Sequence, residues 1–231
     1  MARRGTAQTL TSDVYAQLRD AILLGEVAPG SRLLPAELRG RYDVSLSVVR
    51  EALMRLVEQR LVATAPNLGF SVAPLSLAHL QHLVQARCMV EGNTVRISVQ
   101  QGDLEWESRV LAIHHQLDKT PIWLGDEEPT LNSDWVAAHA AFHATLLDAC
   151  DNEILIDLCA SLFDMAELYR RWNEAGEQRS RDVVQEHRNL AAAALEHNGA
   201  LAQRLLVEHI TRTADLAVHH IPALGHAGQE L

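Results

Sequence analysis

Cysteine is scarce in this chain of 231 residues and poorly placed for bonding. There are three, an odd number, and Cys88, Cys150 and Cys159 form no Cys-x-x-Cys pair. That argues against a disulfide scaffold and against a thiolate metal site. All three fall within helical patterns and are expected to be buried small hydrophobes in a reducing compartment. No apolar run approaches the length of a membrane span, and Met1-Ala2-Arg3-Arg4-Gly5-Thr6 leads into polar residues instead of a signal-peptide core. A cytoplasmic protein is therefore expected. Internal repeats are missing, and the alanine run 191–194 is the single low-complexity patch.

What is present suits one large or two modest domains, since 48% of the residues are apolar, an ordinary share for a globular core. The charge is uneven. Residues 1–74 hold nine arginines against seven acidic residues, while the chain as a whole carries −10. The rest is thus strongly acidic and repels a phosphate backbone, so nucleic acid can be approached only through the arginine-bearing N-terminal part.

Helical periodicity at Val14, Leu18, Ile22 and Leu23 predicts a first helix over Thr11 to Leu24, ended by Gly25 and Pro29-Gly30. Arg32-Leu33-Leu34 reads as a short extended link, and Pro35 suits the first turn of a second helix reaching Tyr42. Ser45 is an expected N-cap for a third helix, whose inward stripe is Val48, Val49, Ala52, Leu53 and Leu56. Ser45, Leu46, Ser47 and Arg50 are left on its outer, N-terminal side. Leu61-Val62-Ala63-Thr64 and Gly69-Phe70-Ser71-Val72 flank the turn signal Pro66-Asn67 and predict a hairpin. Three helices and a hairpin make a winged helix-turn-helix, the third helix being the one that would enter a DNA groove. For Arg50 two readings stand, a DNA contact or an ion pair with Glu51 or Glu37.

Beyond Pro74 the pattern changes. Ser76 can cap the next helix, and helices are predicted at about 77–100, 104–118, 131–150, 152–174, 181–197 and 199–219, with a loop around Pro121, Gly125 and Pro129. Six amphipathic helices on short connections suggest an antiparallel bundle, and the interior of such a bundle is where ligand and metal sites are built. Residues 1–75 and 76–231 are accordingly the expected domains. His139 and His143 lie four apart, so their imidazoles share a face with a rise of about 6 Å between Cα atoms, a spacing that suits two ligands of one metal. A solvated or hydrogen-bonded pair is the bland alternative. A tight turn near His197-Asn198-Gly199 would bring His187 and His209 side by side on two helices. The other histidines (79, 82, 114, 115, 197, 219, 220 and 226) read as surface or tail residues.

The run Val14 to Ser76, with Pro29-Gly30, Arg32-Leu33, Glu37-Leu38, Val44-Ser45, Val49-Arg50-Glu51-Ala52-Leu53, Leu61-Val62 and Gly69-Phe70-Ser71-Val72, resembles the DNA-binding domain of GntR-type transcriptional regulators. The remainder resembles the all-helical FCD ligand-sensing domain of the FadR branch of that family. The resemblance implies a mainly α protein: an N-terminal winged helix-turn-helix and a C-terminal six-helix bundle acting together as a homodimeric, ligand-responsive regulator, a repressor by expectation. Two-fold symmetry implies an inverted-repeat operator in double-stranded DNA. The segment from Pro74 to Ser76, and the helix it feeds, is the expected moving part.

The resemblance also assigns residues. On the DNA side it implies Arg32, Arg39, Arg41, Ser45, Leu46, Ser47, Arg50 and Gly69. Many relatives carry arginine where this chain has Leu46 and Leu68, so two contacts are absent, and Leu46 could instead meet a thymine methyl. In the sensor, Phe142-His143, His187 and His209 match the family's divalent-metal ligands, with His139 standing where aspartate is usual. Four neutral imidazoles leave the ion's charge uncompensated, which implies zinc or nickel and an anion, such as a carboxylate effector, at an open position. Occupancy is expected to fall as pH drops toward the histidine reference value near 6.5.

Arg87, Tyr169 and Arg170 are the implied effector contacts. For Arg87 an intrahelical ion pair with Glu91 stands as the alternative. Leu104-Glu105-Trp106-Glu107, Trp135 to Phe142-His143, and Phe163 to Tyr169-Arg170 resemble family members that govern the use of short carboxylic acids, which implies a short dicarboxylate or hydroxy acid as inducer. A metal-dependent hydrolase using the histidines is the other class weighed; against it, the chain lacks a His-Glu-x-x-His motif, and no enzyme activity is expected.

Overall fold

The computed structural model describes residues 7–65, 69–125, 130–171 and 182–218. The Pro66-Asn67 turn, Leu68, Pro129 and the histidines at 219, 220 and 226 lie outside the described residues, as do the outer ends of three predicted helices.

Packing divides the chain into two compact units. Among described residues the first contains 7–80, 164–171 and Val218, and the second 81–163 and 182–217. In the first unit, α1 (Ala7–Leu23) precedes β1 (Arg32–Leu33), α2 (Pro35–Tyr42), α3 (Leu46–Glu58), β2 (Val62–Ala65) and β3 (Gly69–Val72). The turn after α1 uses Gly25 and Gly30 at φ 75° and 79°, a conformation that glycine adopts without a Cβ penalty. The α2–α3 turn places Asp43 in the left-handed region at φ 49°, where aspartate is among the better tolerated residues.

Ser45 caps α3 as expected, its hydroxyl accepting from Val48 N at 3.4 Å. The five-residue stripe of α3 is buried throughout, with Val49, Ala52, Leu53 and Leu56 at 0% exposure. Val49, Leu53 and Leu56 pack with Leu18 and Ile22 of α1, Leu38 of α2 and Val62 and Val72 of the sheet, and Val48 and Ala52 with Val14 of α1. The predicted link at Arg32-Leu33 turns out to be a paired strand. The sheet has three strands in the order β1-β3-β2, with Arg32 opposite Ser71 and Val62 opposite Val72, all pairs antiparallel.

The second unit is helical. Its elements are α4 (Leu77–Gln101), α5 (Leu104–Lys119), α6 (Ser133–Leu147) with a 3-10 turn at Asp148–Cys150, α7 (Glu153–Arg171), α8 (Val183–Leu195) and α9 (Gly199–Val218). The helices agree with the sequence expectation to within a few residues. The predicted α5–α6 loop contains a small hairpin, β4 (Trp123–Leu124) with β5 (Thr130–Leu131), which two-residue strands are too short to signal by periodicity. Capping explains the helix starts: Asp103 accepts from Trp106 N, Asn132 from Asp134 N and Asp182 from Gln185 N. The core brings together Val95 and Val99 of α4, Trp106 and Val110 of α5, Phe142 and Leu146 of α6, Leu190 of α8, and Leu206 and Ile210 of α9.

Three helices contribute to both units, α9 only through Val218. The first turn of α4 belongs to the winged unit, where Ser76 caps it through His79 N at 3.1 Å. From Asp164 onward α7 does too, placing Leu168 in the winged-unit core. Arg19 of α1 grips Asp164 with two nitrogens, at 2.9 and 2.5 Å.

Cys150 and Cys159 are buried as expected, whereas Cys88 is half-buried. Burial pushes the Cys159 thiol up to about 11, against the opposing hydrogen bond with Thr94, so it behaves as an inert small hydrophobe.

Candidate metal centre and DNA-reading helix

The four histidines converge. One ligand atom from each of His139, His143, His187 and His209 lies within 4.8 Å of the others, and all four residues are buried. Two come from α6, one from α8 and one from α9, so the cluster exists only because three helices pack. On α6 the four-residue spacing works as expected, since the Nε2 atoms of His139 and His143 stand 3.2 Å apart. Two nitrogens bound tetrahedrally to zinc at about 2.0–2.1 Å would be separated by roughly 3.3–3.4 Å. The donor set and its spacing therefore fit a nitrogen-accepting divalent ion.

Aromatic rings wall the cluster. Trp135 stacks on His139 with centroids 4.7 Å apart and planes 17° apart, and Phe163 of α7 lies 5.7 Å from the His139 ring and 5.6 Å from the His143 ring. Phe142 meets His187 edge-on at 5.4 Å. Such walls exclude water and fix ring orientation, and both strengthen electrostatic interactions inside.

Arg87 reaches the same wall. Its guanidinium carbon is 5.5 Å from the Phe163 ring centroid, while Nε and Nη2 donate to the two Glu91 oxygens at 2.6 and 2.9 Å. Arg87 and Glu91 are 7% and 1% exposed, which makes the intrahelical pair a buried bidentate one. The other two implied effector contacts have local partners. Arg170 pairs with Glu167 one turn back. The Tyr169 hydroxyl donates to Ser76 O at 3.3 Å and lies 2.8 Å from His79 Nδ1. His79, expected at the surface, is half-buried and stacked on Tyr169. His114 is half-buried against Phe142, and the exposed His197 bonds both Val99 O and Glu107.

One residue that sequence reasoning missed is Glu186. Its Oε2 is 2.8 Å from His209 Nδ1, and its Oε1 accepts from Arg212 at 3.4 Å. The only signal in the sequence was adjacency to His187, which does not reveal a partner on another helix.

On the winged unit, Ser45, Leu46, Ser47 and Arg50 all face solvent, as do Arg32, Arg39, Arg41 and Gly69. None of the ion pairs among the described residues engages Arg50, and Glu51, one of its two suggested partners, accepts from Thr11 instead at 3.2 Å. Arg41 is 3.9 Å from Glu26 in an exposed pair. Gly69 opens β3 at φ 77°.

A winged helix-turn-helix with an exposed recognition face, carried with an all-helical unit that encloses a histidine cluster, defines a DNA-binding regulator with a sensor domain. The chain belongs to the GntR family of bacterial transcriptional regulators. Residues 10–72 match the gntR-family bacterial regulatory protein profile and residues 82–212 the FCD domain. It is 34% identical to the HTH-type transcriptional regulator BphR of Paraburkholderia xenovorans (strain LB400), over 88% of this chain and 83% of that protein. It is 32% identical to the HTH-type transcriptional repressor GlaR of Escherichia coli (strain K12), over 87% and 93% of the two chains. Among solved structures, E. coli McbR/YncC shares the fold at TM-score 0.75 and 20% identity, covering 91% of this chain and 97% of its own. A GntR regulator from Rhodococcus sp. RHA1 does so at 0.72 and 24%, covering 90% and 97%. No described helix is long and apolar enough to cross a membrane.

Proposed function

We propose that this regulator is a cytoplasmic, homodimeric repressor whose affinity for an inverted-repeat operator is set by a small carboxylate bound at a metal held by His139, His143, His187 and His209. The observation that carries the reading is the convergence of four buried imidazoles within 4.8 Å in the sensor domain of a DNA-binding family. Zinc or nickel suits an all-nitrogen set. When bound, the ion would supply a Lewis-acid position for an anion.

The protein's own residues do the rest. Trp135 and Phe163 exclude water from the imidazoles, and Arg87, beside Phe163, is the cation suited to a second carboxylate, in exchange with Glu91. That exchange favours a short dicarboxylate or hydroxy acid over a monoacid. Arg50, with Ser45, Leu46 and Ser47, reads base edges and phosphates, while Arg32, Arg39, Arg41 and Gly69 contact the backbone. The effector must bind the DNA-competent and incompetent states unequally, and a coupling of about 1–3 kcal/mol changes operator affinity 5–150-fold.

The test is metal analysis of the purified protein, followed by operator selection from random duplex DNA and titration of that operator with short mono- and dicarboxylates. Near-stoichiometric zinc or nickel, and release of DNA by a dicarboxylate, are expected. A metal-free protein whose DNA binding ignores every acid would overturn the sensor reading, and zinc-dependent turnover of an ester or amide panel would replace it with a hydrolase.

A further inference from the structure

We propose that Glu186 is the positioning residue of the metal centre: acting through His209, it holds that imidazole as the Nδ1–H tautomer with Nε2 directed to the ion, and it supplies the negative charge that four imidazoles lack. The inference rests on the reading that the histidine cluster holds a divalent metal.

The hydrogen-bond geometry defines the tautomer. A glutamate carboxylate only accepts, so at 2.8 Å the proton between Glu186 Oε2 and His209 Nδ1 is carried by the ring. The lone pair then resides on Nε2, the nitrogen on the far side of the ring. A ring nitrogen that donates to a carboxylate also makes its opposite nitrogen a better ligand, because the carboxylate stabilises the positive charge that coordination draws onto the imidazole.

Glu186 is itself held in place. It lies in the first turn of α8, whose start Asp182 caps through Gln185 N at 2.9 Å, and a carboxylate is favoured near the partial positive charge of a helix N-terminus. Arg212, one turn beyond His209 on α9, donates to its second oxygen at 3.4 Å and to Glu208 at 3.3 Å. The Glu186 side chain is only 14% exposed and that of His209 7%, so solvent screens the pair weakly. Consecutive residues of α8 therefore serve one ion in different ways: His187 as a ligand, and Glu186 as the anchor of the ligand that α9 contributes.

Glu186→Gln keeps an acceptor and removes the charge, whereas Glu186→Ala removes both. Zinc affinity by competition with a chromophoric chelator should fall about 10–100-fold for the alanine variant and by a smaller factor for the glutamine variant. The visible absorption of the cobalt-loaded protein should change in both. In a His209→Ala background Glu186→Gln should cost nothing further, because the residue it acts through has gone. Metal-free wild type and glutamine variant should share one thermal midpoint, which separates positioning from folding.

Wild-type zinc affinity within about threefold of both variants, with an unchanged cobalt spectrum, would overturn the proposal while leaving the metal site standing. So would equal losses for Glu186→Gln with and without His209. A wild-type protein that binds no zinc at all would instead overturn the site itself, and this proposal with it.

Discussion

His139 and His143 bring their Nε2 atoms to 3.2 Å of each other across one turn of α6, although both are buried among apolar rings. Two imidazoles that close share a single proton or a single cation. With His187 and His209 completing the cluster, a shared cation is the arrangement that would engage all four residues.

Under the proposed metal site, removing the two histidines that lie outside α6 should abolish metal binding. His187→Ala combined with His209→Ala is expected to take zinc content from about one ion per chain to a small fraction of that. Response to organic acids should be lost, while operator affinity in the absence of acid persists. Elemental analysis and a gel-shift titration measure both. Stoichiometric metal retained by the double variant would show that other residues ligate it.

At the recognition helix, Arg50→Ala should weaken operator binding by about 1–3 kcal/mol if the guanidinium reads a base edge, or reduce the salt slope by about one if it contacts a phosphate. Arg50 is exposed and supports no part of the core, so the circular dichroism spectrum and melting temperature should match wild type. Unchanged affinity at every salt concentration would count against this surface as the reader.

The Arg19–Asp164 pair predicts a stability effect. Burial pushes the Asp164 carboxyl up, opposed by the Arg19 guanidinium bonded to it, so the site tolerates a charge on Asp164 because Arg19 is there. Asp164→Ala leaves the half-buried Arg19 guanidinium without that acceptor and should cost about 1.5–3 kcal/mol. Asp164→Leu with Arg19→Met should recover part of the loss, since it leaves no buried charge behind. Urea denaturation of wild type and the two variants measures it, and a double variant as unstable as Asp164→Ala would refute the account.

His197 predicts a pH effect. The hydrogen bond to Glu107, with a further one to Val99 O, raises the imidazole above its ordinary range. A group raised on folding contributes stability that is full below its unfolded value near 6.5 and disappears as pH climbs through the folded value. Glu107→Gln should thus destabilise the metal-free protein more at pH 6 than at pH 8.5. The difference should be small, because the side chain is 42% exposed and solvent screens the pair. Denaturation in the presence of a chelator at both pH values checks it, and a larger effect at pH 8.5 would reverse the sign argued here.

Local signals carried much of this protein. The cap at Ser45, the stripe from Val48 to Leu56, the glycines at 25 and 30 and the four-residue histidine spacing on α6 are properties of neighbouring residues, and a helix or turn expresses them wherever it sits. The β4–β5 hairpin escaped because two-residue strands have no period to detect. The half-burial of His79 escaped because its partner, Tyr169, is 90 residues away; His197 is exposed as expected, and its bond to Glu107 spans the same 90 residues.

By itself, the order of residues determined the helices, the winged architecture and the set of histidines able to ligate, since each follows from periodicity, capping and side-chain chemistry within a few turns of chain. Only tertiary packing decided that three helices bring four imidazoles together, that Phe163 and Trp135 wall them, and that Glu186 on α8 reaches His209 on α9. Those relations depend on how helices cross, which is set by the collective fit of buried side chains and not by any local stretch.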